Sequence, residues 1–198
     1  MRRFFISLLA LLFAGGVSAA EPVWLVLQRV SEYMNTKSGY EVSFSITAED
    51  YKAEGRYCVQ GASYYIDITD AEVYCDGEVR YEVDNQRREV NIDVMDYESR
   101  NILDNPTRCF DFVEADYTAE IVEQKGDDVK ICLRSKDAAV EGDIFLTVES
   151  DTGCPIDVEY VLYGDSIKVA VLDIKRHFSA VKRFNRADYK NYEIIDFR

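Results

Sequence analysis

The side chains that could carry covalent chemistry are few in this chain of 198 residues, which contains one histidine, His177, and five cysteines. A nucleophilic cysteine or serine needs a base such as histidine within hydrogen-bond reach, and no nucleophile motif lies near His177. Because this histidine lies near the end of a strand-like run, we expect it to be structural or exposed. Distant residues could still assemble a triad, but the pattern favours a protein that is not an enzyme.

The cysteines are Cys58, Cys75, Cys109, Cys132 and Cys154, an odd number, so at least one must stay unpaired within a monomer. None forms a CxxC pair, and Cys58 and Cys132 each have apolar neighbours on both sides. Free cysteine packs as a small apolar residue. We therefore expect these side chains to be buried or half-buried rather than to bind a metal.

The acidic residues and glycines do not form a recognisable ligand-binding motif. Asp127 and Asp128 follow Gly126 in a turn-like segment, where aspartate is favoured for backbone reasons. Residues 67–72 lack the glycine and ligand spacing of a calcium loop, and the sequence contains no glycine-rich phosphate loop. No metal or cofactor is predicted.

The formal net charge of −14 argues against nucleic acid and against an anionic membrane surface as the main partner, because carboxylates repel phosphate. Hydrophobic residues make up 47% of the chain and only three residues are proline. This composition predicts one ordered domain with a sizeable apolar core.

The first twenty residues have the pattern of a secretory signal. Arg2 and Arg3 precede an apolar run over residues 4–14, and residues 17–19 supply the small side chains that a signal peptidase accepts. The alternative is a membrane anchor, but the run is shorter than the ~20 apolar residues that span a bilayer. We expect residues 1–20 to be cleaved and residues 21–198 to form one domain in the bacterial periplasm.

After residue 21 the hydrophobic period changes from helical to strand-like. Apolar residues recur at helical spacing from Pro22 to about Thr36, whereas Tyr40 to Ile46 and several later segments alternate between apolar and polar residues. Turn signals separate many of these segments, as in antiparallel hairpins. The prediction is a mainly β protein of roughly ten or eleven strands, with an N-terminal helix and a short helical segment within residues 99–112.

A sheet of this size is too wide for so little helix to cover while it stays flat. Ten strands at a spacing of ~4.8 Å are almost 50 Å wide, whereas one helix covers about 10 Å. The sheet must therefore fold into a sandwich or curl into a barrel around its apolar face. A barrel would leave room for an apolar cavity, and a sandwich would fill the same space with core side chains.

The order of these features resembles the LolA-type outer-membrane lipoprotein carriers, and in particular their Bacteroides-like branch. The likeness extends over nearly the whole mature chain. It is carried by the N-terminal helix, Tyr40 to Ile46, a second strand led by Gly55, Asp76-Gly77 followed by Tyr81, residues 101–106, the turn at residues 126–128, and the closing residues 192–198.

This resemblance implies a single-domain incomplete antiparallel β-barrel with helices as its lid, which carries the acyl chains of lipoproteins from the inner to the outer membrane. The implied partners are acylated lipoproteins, an inner-membrane lipoprotein-releasing ABC transporter that supplies the energy, and an outer-membrane acceptor. The expected state is a soluble monomer. An acyl chain costs on the order of 10 kcal/mol to transfer into water, so such a carrier must offer a replacement apolar cavity.

The candidate lipid-binding residues are the inward members of the alternating sets, and for each of them ordinary core packing remains an equal alternative. The cavity candidates are Phe44, Ile46, Tyr57, Val59, Ile66, Val90, Ile92, Leu146, Val158 and Val169. The lid candidates are Leu27, Val30 and Met34 on the first helix, and Phe110 and Phe112 on the middle segment.

One position departs from the family pattern. The resemblance implies an arginine on the barrel wall that holds the lid, and the corresponding residue here is Gly61, for which Arg56 is not a substitute. No residue that latches the lid is therefore assigned. Besides the carrier, two hypotheses stay open: a LolA-fold protein that binds or senses a different envelope lipid or amphiphile, and an envelope enzyme.

Overall fold

The computed structural model describes residues 21–35, 37–99, 104–108, 113–176 and 180–198. The elements, in chain order, are α1 (Val23–Tyr33), β1 (Tyr40–Ala48), β2 (Tyr51–Gln60), β3 (Ser63–Ile68), β4 (Ala71–Cys75), β5 (Val79–Asp84), β6 (Glu89–Val94), α2 (Val113–Asp116), β7 (Tyr117–Lys125), β8 (Asp128–Ser135), β9 (Asp143–Glu149), β10 (Pro155–Leu162), β11 (Asp165–Lys175), a 3-10 helix (Arg186–Tyr189) and β12 (Glu193–Asp196).

All twelve strands belong to one sheet with the order β12-β6-β5-β4-β3-β2-β1-β11-β10-β9-β8-β7. Strands β1 to β6 form one series of antiparallel hairpins and β7 to β11 form another, and β1 pairs with β11 to join the two halves. The edge strands β12 and β7 do not pair with each other, so the sheet forms an incomplete β-barrel, as predicted. The prediction of roughly ten or eleven strands is slightly below the twelve observed. The strand β12 pairs in parallel with β6, and neither a hairpin turn nor an alternating pattern in the sequence indicates it.

The face of the sheet on which α1 packs is called the inner face. Apolar residues from both halves of the sheet, such as Phe44 of β1 and Leu146 of β9, form one cluster there with Val30 of α1. Directly opposed residues of neighbouring strands lie on the same face, so the register assigns every strand residue to the inner face or to the outer face. The hydrophobic interior lies between the inner face and α1.

The helix α1 is shorter than the sequence pattern predicts. Pro22 is the N-cap of α1 rather than part of its first turn, and Met34 is the C-cap. In the middle segment, Ser99, Thr107 and Arg108 are not helical, and the structure describes α2 over Val113–Asp116. Residues 100–103 and 109–112, which carried most of the predicted middle helix, lie outside the described residues.

Gly55 lies in the middle of β2, where it pairs with Phe44, and does not lead the strand as expected. A Cβ atom on Gly55 would lie 2.8 Å from Cζ of Phe44 and 2.6 Å from the carbonyl oxygen of Asp67. The Phe44 ring therefore occupies the space that a side chain at this position would need.

The outer face of β3 to β6 is covered by the C-terminal segment. Tyr65, Tyr74, Val83 and Tyr189 are buried in a second hydrophobic cluster, separate from the one beneath α1. The Tyr189 hydroxyl lies 2.7 Å from the Tyr74 hydroxyl. This covering fixes the outer face of these four strands to the end of the chain.

Glu72 is the polar centre of this outer cluster. Its carboxylate accepts hydrogen bonds from the hydroxyls of Tyr65 (2.7 Å), Tyr74 (2.9 Å) and Tyr189 (2.8 Å), and from the Lys182 ammonium (2.8 Å). Burial alone would raise the pKa of the Glu72 carboxyl. The four donors outweigh burial and lower this pKa from the ordinary value of 4.5 to about 2.

We predict that Glu72→Gln lowers the free energy of unfolding by about 2 kcal/mol at pH 7, because charge-assisted hydrogen bonds are lost. A carboxyl with a lowered folded-state pKa stabilises the fold above its unfolded-state pKa, and this stabilisation disappears as the pH falls from 4.5 to about 2. Urea titrations from pH 7 to pH 2.5 should therefore show the wild-type and variant stabilities converging. Glu123→Gln, at an exposed position of β7, is the control and should change stability by less than about 0.5 kcal/mol. A difference that is the same at all pH values would contradict this role of Glu72.

Candidate functional site: the inner face and its helical lid

Eight of the ten predicted cavity residues lie together on the inner face. They are Phe44, Ile46, Tyr57, Val59, Ile66, Leu146, Val158 and Val169. None is more than 7% exposed, because protein side chains fill the space above them. The inner face is therefore closed in this structure, with α1 packed across it.

The structure corrects the placement of Val90 and Ile92, which lie on the outer face. In the register Val90 is opposite Val83 and Ile92 is opposite Tyr81, and both belong to the outer cluster that contains Tyr189. Alternation correctly placed the two side chains on one face of β6. It could not indicate which face, because the C-terminal segment makes the outer face of this strand apolar as well.

The predicted lid residues of α1 pack against the inner face. Leu27, Val30 and Met34 are at most 9% exposed and belong to the same cluster as the eight wall residues. Phe110 and Phe112 lie outside the described residues. Val113, the first residue of α2, joins the cluster from the middle segment.

The middle of α1 is attached to the turn between β9 and β10. The Arg29 side chain donates a hydrogen bond from Nε to the carbonyl oxygen of Ser150 (2.6 Å) and forms an ion pair with Glu21. Gly153, in the same turn, has a φ of +73°, and a Cβ atom there would lie 2.3 Å from the carbonyl carbon of Arg29. The turn thus contacts the helix backbone directly, which only glycine permits.

The C-terminal end of α1 is held by Arg176, which follows β11. The Arg176 guanidinium donates a hydrogen bond to the carbonyl oxygen of Tyr33 and lies 4.4 Å from the centre of the Tyr33 ring. A cation at this end of a helix also interacts favourably with the helix dipole. A hydrogen bond with Cys154, together with burial, raises the pKa of the Tyr33 hydroxyl.

Neither arginine could be identified as a lid contact from the sequence, because each acts through a backbone carbonyl that leaves no sequence pattern. Gly61, the position that the resemblance indicated, lies in the exposed turn between β2 and β3 with a φ of +61°. No atom lies within 4 Å of the place where its Cβ would be.

Two clefts open next to residues of the inner-face cluster. The first, of about 330 Å³, has Tyr117, Ile144 and Tyr160 among its lining residues, with Val140 and Leu162 nearer the surface. Tyr117 and Ile144 belong to the inner-face cluster and Tyr160 packs against it, so this cleft is continuous with the hydrophobic interior.

The second cleft, of about 370 Å³, lies between the helices α1 and α2. It is lined by Trp24, Leu25 and Leu27 of α1 and by Val113 of α2. Trp24 is 39% exposed and Leu25 is 47% exposed. Apolar surface therefore extends from the interior to the edge of the lid.

The cysteines that the structure describes are free. Burial, followed by a hydrogen bond with Glu41, raises the pKa of the Cys58 thiol to about 12, and burial also raises the pKa values of Cys75 and Cys132. These three thiols are protonated at neutral pH and are poor nucleophiles. His177 and Cys109 lie outside the described residues.

Within the described ranges, no group of three or more histidine, cysteine, aspartate or glutamate side chains is arranged to hold a metal ion. Among the helices in the same part of the chain, none is long and apolar enough to cross a membrane.

No protein-family model and no curated protein matches the chain. Among solved structures, it is similar to an uncharacterized conserved protein from Thermus thermophilus, with a TM-score of 0.56 and 8% identity over 89% of this chain and 99% of the other. A LolA superfamily protein from Nitrosomonas europaea has a TM-score of 0.41 and 11% identity, over 86% of this chain and 98% of the other. The Mycobacterium tuberculosis lipoprotein LppX has a TM-score of 0.43 and 9% identity, over 81% of this chain and 99% of the other. At 8% identity, the first of these likenesses is one of fold alone.

We predict that Gly153→Ala loosens α1. The added methyl group must displace the Arg29 backbone, so the variant should unfold at a lower urea concentration and bind more of an apolar fluorescent dye than the wild type. The control is Gly126→Ala, because Gly126 also has a positive φ (+64°) in a hairpin turn but has open space around its Cβ position. The control should lose only the roughly 1–2 kcal/mol that a left-handed backbone costs an alanine. Equal stability and equal dye binding in the two variants would show that the Gly153 contact does not hold the helix.

Proposed function

We propose that this protein is a non-enzymatic carrier that binds the acyl chains of lipoproteins on its inner face after α1 has moved aside. The observation that carries the proposal is the difference in size between the apolar inner face of the sheet and the helix that covers it. The apolar cluster extends over strands from both halves of a twelve-stranded sheet, whereas α1 has only 11 residues. A cover of this kind can be exchanged for a ligand without disturbing the hydrogen bonds of the sheet.

The free energy gained by burying the α1 side chains and that gained by burying an acyl chain are of the same order. Each fully buried aliphatic side chain contributes roughly 1.5–3 kcal/mol, so Val26, Leu27 and Val30 together contribute about 5–9 kcal/mol. An acyl chain of about a dozen methylenes gains on the order of 10 kcal/mol on burial. Because these values are close, an acyl chain can replace the lid side chains without either state being strongly preferred.

The cleft at Tyr117, Ile144 and Tyr160 supports the same interpretation. It supplies open volume in contact with the inner-face cluster before α1 moves. Ligand sites that are concave, mostly apolar and partly pre-formed are usual for apolar molecules. An acyl chain on the inner face could extend its end into this cleft.

The finer role rests on the sequence resemblance to the LolA-type carriers, including the Bacteroides-like branch. In this role, residues 1–20 direct export and are removed, and residues 21–198 act as a monomer in the periplasm. An inner-membrane lipoprotein-releasing ABC transporter loads the carrier, and an outer-membrane acceptor receives the lipoprotein. The raised pKa values of Cys58, Cys75 and Cys132 favour this non-enzymatic role over an envelope enzyme.

The shuttle role is tested by release of a radiolabelled lipoprotein from inner-membrane vesicles that contain the active transporter and ATP. Adding residues 21–198 should transfer the label to the soluble fraction in proportion to the amount of protein added. If the transporter is active and no label is released, the shuttle role is wrong. Phospholipid bound to the purified protein in that case would favour the second hypothesis, a protein that binds or senses a different lipid.

We predict that Arg176→Met makes α1 easier to displace. The stability should fall by about 1 kcal/mol, because the hydrogen bond and ring contact at Tyr33 are lost. The apparent affinity for dansylundecanoic acid should rise several-fold, because less of the binding energy is used to open the lid. The control, Arg56→Met, removes an exposed ion pair with Asp67 on the outer face and should alter neither value appreciably. Weaker probe binding by Arg176→Met would indicate that α1 is part of the binding wall and not its lid.

A further inference from the structure

Polar side chains replace apolar ones where the inner face reaches β5 and β6. Arg80 is opposite Cys75 of β4, which belongs to the inner-face cluster, and it is opposite Asp93 of β6. Asn91 of β6 is opposite Glu82 of β5. Arg80 and Asn91 therefore lie on the inner face of adjacent strands at diagonal positions, a separation that long side chains can bridge.

Each of these two residues has a buried polar atom without a hydrogen-bond partner among the described residues. The atoms are Nε of Arg80, a donor, and Oδ1 of Asn91, an acceptor. Roughly nine in ten buried polar atoms in proteins are hydrogen-bonded, because an unpaired one loses its contact with water without compensation. A donor and an acceptor that are unpaired at neighbouring positions of one sheet face indicate a place for a ligand with both functions.

The charge around Arg80 defines the class of ligand further. Its Nη1 atom donates to Oε2 of Glu82 at 2.7 Å, so the positive charge is already balanced. Burial would lower the pKa of the Arg80 guanidinium, but the surrounding Tyr64, Glu82 and Asp104 outweigh burial and raise it. The guanidinium stays charged and its Nε atom remains a donor. An anionic ligand would meet the repulsion of Glu82 and Asp104, so a neutral polar group fits better.

We propose that Arg80 and Asn91 bind the secondary amide at the head of an N-acylated ligand. The amide carbonyl oxygen accepts a hydrogen bond from Nε of Arg80, and the amide N–H donates to Oδ1 of Asn91. A secondary amide pairs both atoms at once, whereas an ester or a tertiary amide has no N–H to offer. This inference rests on the proposed function, because the acyl chain attached to the amide is the part that covers the apolar inner face.

The test measures binding of three probes of equal chain length by displacement of an apolar fluorescent dye. The probes are N-methyldodecanamide, N,N-dimethyldodecanamide and methyl dodecanoate, and the proteins are residues 21–198 with Arg80→Met, Asn91→Leu or no substitution. The wild type should bind the secondary amide about tenfold more tightly than the other two probes. Asn91→Leu should abolish this preference, and Arg80→Met should weaken binding of all three carbonyl probes about tenfold. The control variant, Arg56→Met, carries its substitution on the outer face and should behave as the wild type.

The possible outcomes separate this inference from the proposed function. If the wild type binds the three probes equally and neither variant changes the affinities, the amide site is wrong while the acyl-binding inner face stands. If the wild type binds no probe, both are wrong. Asn91→Leu puts an apolar side chain in place of an unpaired polar atom and should unfold at a temperature close to that of the wild type. Arg80→Met also removes the ion pair with Glu82 and should unfold at a lower temperature. Should Arg80→Met fail to fold, the loss or persistence of the amide preference in Asn91→Leu decides the question.

Discussion

The structure depends on the need to cover an apolar face of a sheet that does not close. In a closed barrel the strands shield their own interior, but here β7 and β12 stay apart as edge strands. The cover must come from another element, and α1 provides it with Val26, Leu27 and Val30. The helix itself is attached through few polar contacts, chiefly those of Arg29 and Arg176 with backbone carbonyls. An apolar cover with few polar contacts is what the proposed exchange between lid and ligand requires.

The apolar outer face of β3 to β6 must also be covered, and the C-terminal segment covers it. There the C-terminal segment is held by stacked aromatic rings, such as Phe184 against Tyr189, and by the hydrogen bonds that converge on Glu72. A network of directional bonds around a half-buried carboxylate specifies one arrangement, because partial loss of the network leaves polar groups unpaired. The outer cover is therefore fixed, whereas the proposed function requires the inner cover to be exchangeable. In the proposed function, the outer cover would keep β3 to β6 in place while α1 moves, so that the inner face keeps its shape.

The sequence was sufficient for those features that depend on local pattern. Alternation located the strands around Phe44 and Leu146, and helical spacing located Val30 on the buried side of α1, because each pattern follows from the geometry of a single element. The outer-face placement of Val90 and the parallel pairing of β12 depend on where the C-terminal segment folds back, about a hundred residues along the chain from β6. Contacts of that range leave no periodic trace in the sequence, and neither do hydrogen bonds to a backbone carbonyl.

The two ends of the inner face differ in chemistry, and this difference gives the proposed ligand a direction. Arg80 and Asn91 supply polar atoms at β5 and β6, whereas the cleft at Tyr117 and Ile144 lies at β7 and β9, in the other half of the sheet. Between them the inner face is apolar, through residues such as Phe44. A ligand with one polar linkage and a long hydrocarbon chain satisfies both ends at once when its head lies at β5–β6 and its tail points toward the cleft. The reverse orientation would bury the head among apolar side chains and leave the donor of Arg80 unpaired, so burial and hydrogen bonding both favour the same direction.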